Sequence, residues 1–226
     1  IRLASTGKAT PLHYISTLGV FESRNYHGQM VAESDSLNHS DGMALGYSQS
    51  KWVAEKLVKE AQAQGLPVGI YRPGLISGHS RSGAWNTDDV TCRFLKGCIQ
   101  IGSYPALDFG FDLSPVDYVA EAIVSLSLSP KMLGQAFHLQ HPNPLDWKHV
   151  MTWISELGYP VTPEPYDRWV NKLSHSSKTS REGVLSPLAP FFVTRSSSTQ
   201  NMTVPELYQH DERAAIDCQA TLTALT

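Results

Sequence analysis

Two short apolar runs of strand character, residues 11–16 and 67–71, flank a segment of helical periodicity, and that succession leaves few folds open. Between about Tyr47 and Gln64, Trp52, Val53, Leu57, Val58 and Ala61 recur at helical spacing, and Gly65 follows as a closing residue. Strands joined through such a crossover run parallel, because the helix returns the chain to the same end of the sheet. Units of this kind build doubly wound sheets, whose ligands bind beyond the carboxyl ends of the strands. The expected fold is α/β: the C-terminal part of a Rossmann-type parallel sheet plus a smaller, mostly helical subdomain.

The residues at those carboxyl ends carry chemistry. The first strand ends at Ser16-Thr17, the second runs into Tyr71-Arg72-Pro73-Gly74, and the helix opens Gly46-Tyr47-Ser48-Gln49-Ser50-Lys51. Tyr47 and Lys51 are four residues apart and project from one helical face. A cation held beside a phenol favours the phenolate, so the phenol can exchange a proton with a substrate oxygen while hydride moves at carbon. The pattern predicts a nicotinamide-dependent carbonyl reductase, with Thr17, Tyr47 and Lys51 as catalytic candidates. Thr17 has the alternative of satisfying a strand-end amide, and Arg72 of pairing with a carboxylate.

Other classes fit less well. A formal charge of −3 argues against a nucleic-acid binder. No apolar run reaches the roughly 18–20 residues of a membrane span. Cys92, Cys98 and Cys218 form an odd set without a C-x-x-C, which suits a reduced, cytoplasmic chain. His138 and His141 lack further residues at ligand spacing, so no metal is expected. Trp85, Trp147, Trp153 and Trp169 read as core or pocket walls, and Glu55-Lys56 with Lys59-Glu60 as the solvated side of the helix.

Along the chain, residues 18–46 form a long polar loop, the kind that usually carries function. Helices are expected over 88–101, 118–126, from 145 to Gly158, 166–173 and 212–224, with a strand over 135–139 and polar loops at 174–180 and 194–200. The divisions predicted are 1–140, a Rossmann-like part with a substrate-loop insertion at about 77–110; 141–193, a helical substrate-binding subdomain; and 194–226, a polar linker with a terminal helix. Residues 1–8 read as the end of a helix stopped at Gly7. No G-x-G-x-x-G follows a strand anywhere in the 226 residues. The expectation is a fragment, or a natural remnant, that lacks the turn cradling a cofactor's pyrophosphate.

The text from Tyr14-Ile15-Ser16-Thr17-Leu18-Gly19-Val20, through Gly46 to Leu57 and Tyr71 to Gly78, to Gly83-Ala84-Trp85-Asn86 and Ser114 to Ala120 resembles the thioester reductase family. These are the terminal reductase domains of non-ribosomal peptide synthetases and of aminoadipate and carboxylic acid reductases, within the extended short-chain dehydrogenases. The fungal members are the most similar. The resemblance implies NADPH as cofactor and a phosphopantetheinyl carrier protein bearing an acyl thioester as partner. It implies release of the acyl group as an aldehyde, with further reduction to an alcohol open. It places Thr17 (rather than Ser16), Tyr47 and Lys51 in the triad. Tyr47 is then the proton donor and Lys51 the residue holding the ribose, with Arg72, Pro73 and Gly74 lining the nicotinamide. A nucleotide-sugar epimerase or hydroxysteroid-type dehydrogenase shares several of these motifs, and a non-catalytic remnant is the other alternative.

Overall fold

The computed structural model describes residues 1–108, 110–179, 185–195, 201–208 and 213–226. They divide into two compact units. Unit 1 holds Ile1–Ile76, Leu113–Pro142 and Glu212–Thr226, and unit 2 holds Ser77–Asp112 and Asn143–Asp211.

In unit 1, α1 (Arg2–Ser5) is a single turn. Strand β1 (Leu12–Ile15) is followed by β2 (Met30–Val31), the long helix α2 (Gly46–Ala63) and β3 (Val68–Pro73). After the residues of unit 2 that intervene come α3 (Val116–Ser127), β4 (Ala136–Leu139), β5 (Ala215–Ile216) and α4 (Gln219–Leu225). β1, β3 and β4 form a parallel sheet in that order, with Ile15 opposite Tyr71 and Tyr71 opposite Phe137. Alternation along β3 separates two layers. Val68 and Ile70 pack on Val58 of α2, while Tyr71, Phe137 and Leu139 pack on Val119, Ala122 and Leu126 of α3. Gly65 closes α2 at φ 97°, a conformation that favours glycine.

Two expectations change here. Val53 and Leu57, placed on the buried stripe of α2, are 52% and 57% exposed, whereas Glu55, placed on the solvated side, is fully buried. The helix is rotated so that its inward face carries Ser48, Glu55 and Val58. The residues after 212 do not form one helix. β5 pairs in parallel with β2, placing Ala215 opposite Met30, and only then does α4 begin. Residue 212 itself lies outside the described residues.

Unit 2 is built on helices Val90–Ile101, Trp147–Glu156 and Tyr166–Thr179. Asp89 caps the first by accepting the Thr91 and Cys92 amides, and Asp146 caps the second. The third runs through most of the 174–180 segment expected as a loop; residue 180 and residues 196–200 of the expected linker lie outside the described residues. Phe94 stacks on Trp147 at 4.9 Å and meets Trp169 and Phe192. Each indole N–H has a partner, Trp147 on the Pro105 carbonyl and Trp169 on that of Ser103, both at 3.0 Å. Among the described residues, no helix is long and apolar enough to cross a membrane.

Candidate active site

Strand β1 gives out at Ile15, and Ser16 extends its ladder by one bond, its amide donating to the Tyr71 carbonyl at 2.6 Å. Thr17 is extended, and its Oγ1 accepts the Gly19 amide at 3.2 Å, capping a single 3-10 turn over Leu18–Phe21. In that bond the hydroxyl is the acceptor, which leaves its own proton available for a substrate oxygen. Gly19 lets the first turn of α2 approach. A Cβ there would stand 2.9 Å from Ser48 Oγ and 3.5 Å from Thr17 Oγ1.

Tyr47 occupies that first turn and is 58% exposed, so its phenol is accessible to a ligand. Lys51, one turn on, reaches back to β1: its Nζ donates to the Ile15 carbonyl at 3.0 Å and lies 5.5 Å over the Tyr14 ring. The ammonium is therefore held two residues from Thr17, at the carboxyl end of β1. Burial foremost, then the Glu55 carboxylate and Tyr47, push the Tyr14 phenol up from its ordinary range.

Ser16 and Thr17 are adjacent hydroxyls with different environments. Ser16 is buried, and its Oγ donates to Glu55 Oε2 at 2.5 Å. Thr17 is half-buried and faces the opposite way along an extended backbone.

Arg72, for which pairing with a carboxylate was the alternative, does pair: its guanidinium is fully enclosed beneath α2 against Glu55. Nη2 and Nε donate to Glu55 Oε1 at 2.7 and 3.1 Å, and Nη1 donates to the Glu33 carbonyl at 3.3 Å and meets His138 Nε2 at 3.0 Å. Its position on β3 explains this, since Arg72 shares the parity of Val68 and Ile70 and so points toward α2. Pro73 is buried and Gly74 half-buried, its amide donating to the Leu139 carbonyl at 3.2 Å.

Glu55, His138 and Glu33 complete an interior network that sequence reasoning missed. A guanidinium only donates, so His138 Nε2 accepts and Nδ1 carries the proton, donating to the Asp217 carbonyl at 2.7 Å. Burial first, and the Arg72 charge second, hold the imidazole down at about 3. The His138 amide donates to Thr221 Oγ1, and the Thr221 amide and hydroxyl both donate to Glu33 Oε1, each at 2.9 Å. A signal was available for Glu55: an acid one turn beyond Lys51, on a helix whose other side also carries apolar residues.

A family profile described as male sterility protein, an NAD-binding family, matches residues 1–123. Among curated proteins, the chain is 34% identical over 220 residues to the non-canonical nonribosomal peptide synthetase FrzA of a Cladobotryum species, covering 93% of this chain and 21% of that protein. It is 32% identical over 239 residues to L-2-aminoadipate reductase of Saccharomyces cerevisiae, covering 99% of this chain and 17% of that one. Among solved structures, the terminal R domain of the myxalamid PKS-NRPS pathway superposes with a TM-score of 0.84 at 39% identity, over 99% of this chain and 54% of that one. The chain thus spans about a fifth of those two curated relatives and about half of the matched structure.

Proposed function

The chain belongs to the NAD-binding family described as male sterility protein, and is of the terminal-reductase type within the extended short-chain dehydrogenases; on that premise we propose that it reduces a carrier-bound acyl thioester with NADPH and releases an aldehyde. What supports the reading is that Lys51 is bonded to the Ile15 carbonyl at the carboxyl end of β1, two residues before Thr17, and that the exposed Tyr47 stands one turn before Lys51 on α2. The donors present fit a nicotinamide riboside: an ammonium, a phenol and a hydroxyl at the edge of a parallel sheet, where dinucleotides bind. When bound, the cofactor supplies hydride to the thioester carbonyl carbon.

The chain's own residues handle the oxygen. Thr17 and Tyr47 donate hydrogen bonds to the carbonyl oxygen and stabilise the negative charge that develops there. Tyr47 then gives its proton to that oxygen, leaving a hemithioacetal. Lys51 holds the ribose hydroxyls, and its positive charge favours the phenolate that remains on Tyr47. The hemithioacetal collapses as its C–S bond breaks, and the proton on oxygen passes to the departing thiolate, giving aldehyde and phosphopantetheine thiol. A second round at the aldehyde carbon would give an alcohol. Pro73 and Gly74 are backbone walls at the end of the neighbouring strand.

A phosphopantetheinyl carrier domain is the partner this chemistry requires. One structural neighbour is a thiolation-reductase di-domain, alike in fold at 19% identity. Burial of the three free cysteines suits a reducing, cytoplasmic setting. Tyr47→Phe is the test. Thioester reduction by the intact protein should fall about 10²–10⁴-fold, the usual contribution of a positioned acid, with the fold unchanged; near-normal turnover would rule out this proton donor.

A further inference from the structure

The interior ion pair of unit 1 grips both flanks of Thr17. On one side, Ser16 Oγ donates to Glu55 Oε2. On the other, the ring of Phe21, which ends the 3-10 turn that Thr17 caps, lies 4.9 Å from Arg72 Cζ. A third tie runs from α2 itself, where Lys51 stands one turn before Glu55 and bonds the Ile15 carbonyl. Residues 15, 16 and 21 are thereby fixed to α2 and β3 by side chains, and Thr17 lies between them.

An enclosed carboxylate–guanidinium pair adds little net stability over apolar residues of the same volume, because both ions lose their hydration. Its effect is directional. The two carboxylate oxygens and the planar guanidinium accept only a narrow set of partner geometries. Arg72 is also held from below, by His138 and the Glu33 carbonyl, and His138 is in turn held by Asp217. A reacting constellation loses rate steeply when its groups shift by an ångström, so neighbours that lock them are part of how the site works.

We propose that Ser16, Glu55 and Arg72 are positioning residues that set the Thr17 hydroxyl in register with Tyr47 and Lys51. The proposal rests on the reductase reading. Glu55 joins the strand end to the helix, Arg72 joins both to β3, and Ser16 transmits the geometry to its neighbour in the chain.

Ser16→Ala tests this in the intact protein, because it cuts the link to Thr17 and leaves the ion pair whole. With octanoyl-pantetheine and NADPH as probes, kcat should fall about tenfold, while KM for NADPH stays near that of the parent and the denaturation midpoint falls far less than in Glu55→Ala, since the ion pair itself is kept. In a Tyr47→Phe background the same substitution should change kcat by less than about twofold, since groups acting as a unit are not additive. Phe21→Leu, which relieves the other flank, should show the same loss in kcat with little change in KM. An unchanged kcat in Ser16→Ala with a lowered midpoint would overturn the proposal and make the bond purely structural. So would a loss as deep as that of Tyr47→Phe with Thr17→Val retaining activity, which would make Ser16 the reacting hydroxyl. A Tyr47→Phe protein turning over at the parent rate would instead overturn the reductase reading, and the proposal with it.

Discussion

At the centre of unit 1 a carboxylate, a guanidinium and an imidazole lie enclosed, whereas the centre of unit 2 is a stack of rings from Phe94, Trp147, Trp169 and Phe192. Both interiors exclude water, by different physics. Ring packing is nearly non-directional, and it tolerates exchange of one apolar side chain for another of similar volume. A charged network is satisfied in few geometries and heavily penalised when one member is removed. The interior of restricted geometry underlies the candidate catalytic edge. Orientation is what a reacting site demands of its support.

The largest expected effect follows from removing one ion. Glu55→Ala leaves the Arg72 charge enclosed and uncompensated, and should destabilise by about 3–5 kcal/mol. Met151→Leu, at a buried position of unit 2, should change stability by less than about 1.5 kcal/mol. Urea denaturation of both variants checks the pair, and equal midpoints would break the contrast.

A smaller effect sharpens it from the other side. A Cβ at Gly97 would stand 2.0 Å from Leu185 Cγ, so Gly97→Ala should overpack unit 2 and destabilise it by about 1–3 kcal/mol. Calorimetric melting would show this, and an unchanged melt would mean the aromatic interior yields more readily than its packing implies.

The last effect concerns pH. His138 is held at about 3 in the folded chain against an ordinary 6.5. Between those values the unfolded chain binds the proton and the folded chain does not, so stability falls as pH falls. The contribution is complete above 6.5 and is lost at up to about 1.4 kcal/mol per pH unit on the way down. Denaturation midpoints at pH 7 and pH 5 should therefore differ, and His138→Gln should flatten the difference; an equal slope in the variant would place the titration elsewhere.

Local signals made the frame of the site legible. The Tyr47–Lys51 helix announced itself by periodicity and by Gly65, and the flanking strands by short apolar runs with polar ends. Glu55 was hidden because an acid followed by a lysine on an amphipathic helix looks solvated, and its partner Arg72 is on a strand 17 residues away. The partner of Arg72 was left open for the same reason: its parity on β3 becomes meaningful only once the side of the sheet covered by α2 is known. The residues after 212 were opaque because a two-residue parallel pairing with β2 has no period of its own. Trp147 and Trp169 of unit 2 were simpler, since large aromatic residues bury where their N–H finds a carbonyl, whereas Trp153, expected with them as core or pocket wall, is 49% exposed.

The bond between Glu33 and Thr221 spans 188 residues of chain, and this bears on how the molecule is made. During synthesis β1, α2 and β3 leave the ribosome before unit 2, but the groups that close over His138 and Glu33 follow only after it. Until then Glu33 and the amide of His138 lack their Thr221 partners, and the strand partner of β2 does not yet exist. Closing so long a loop is slow, because chain entropy is lost before any contact compensates for it. Unit 1 is therefore begun before unit 2 and completed after it, and the interval between is when its unfinished sheet and open polar interior are most exposed to chaperones, proteases and other nascent chains.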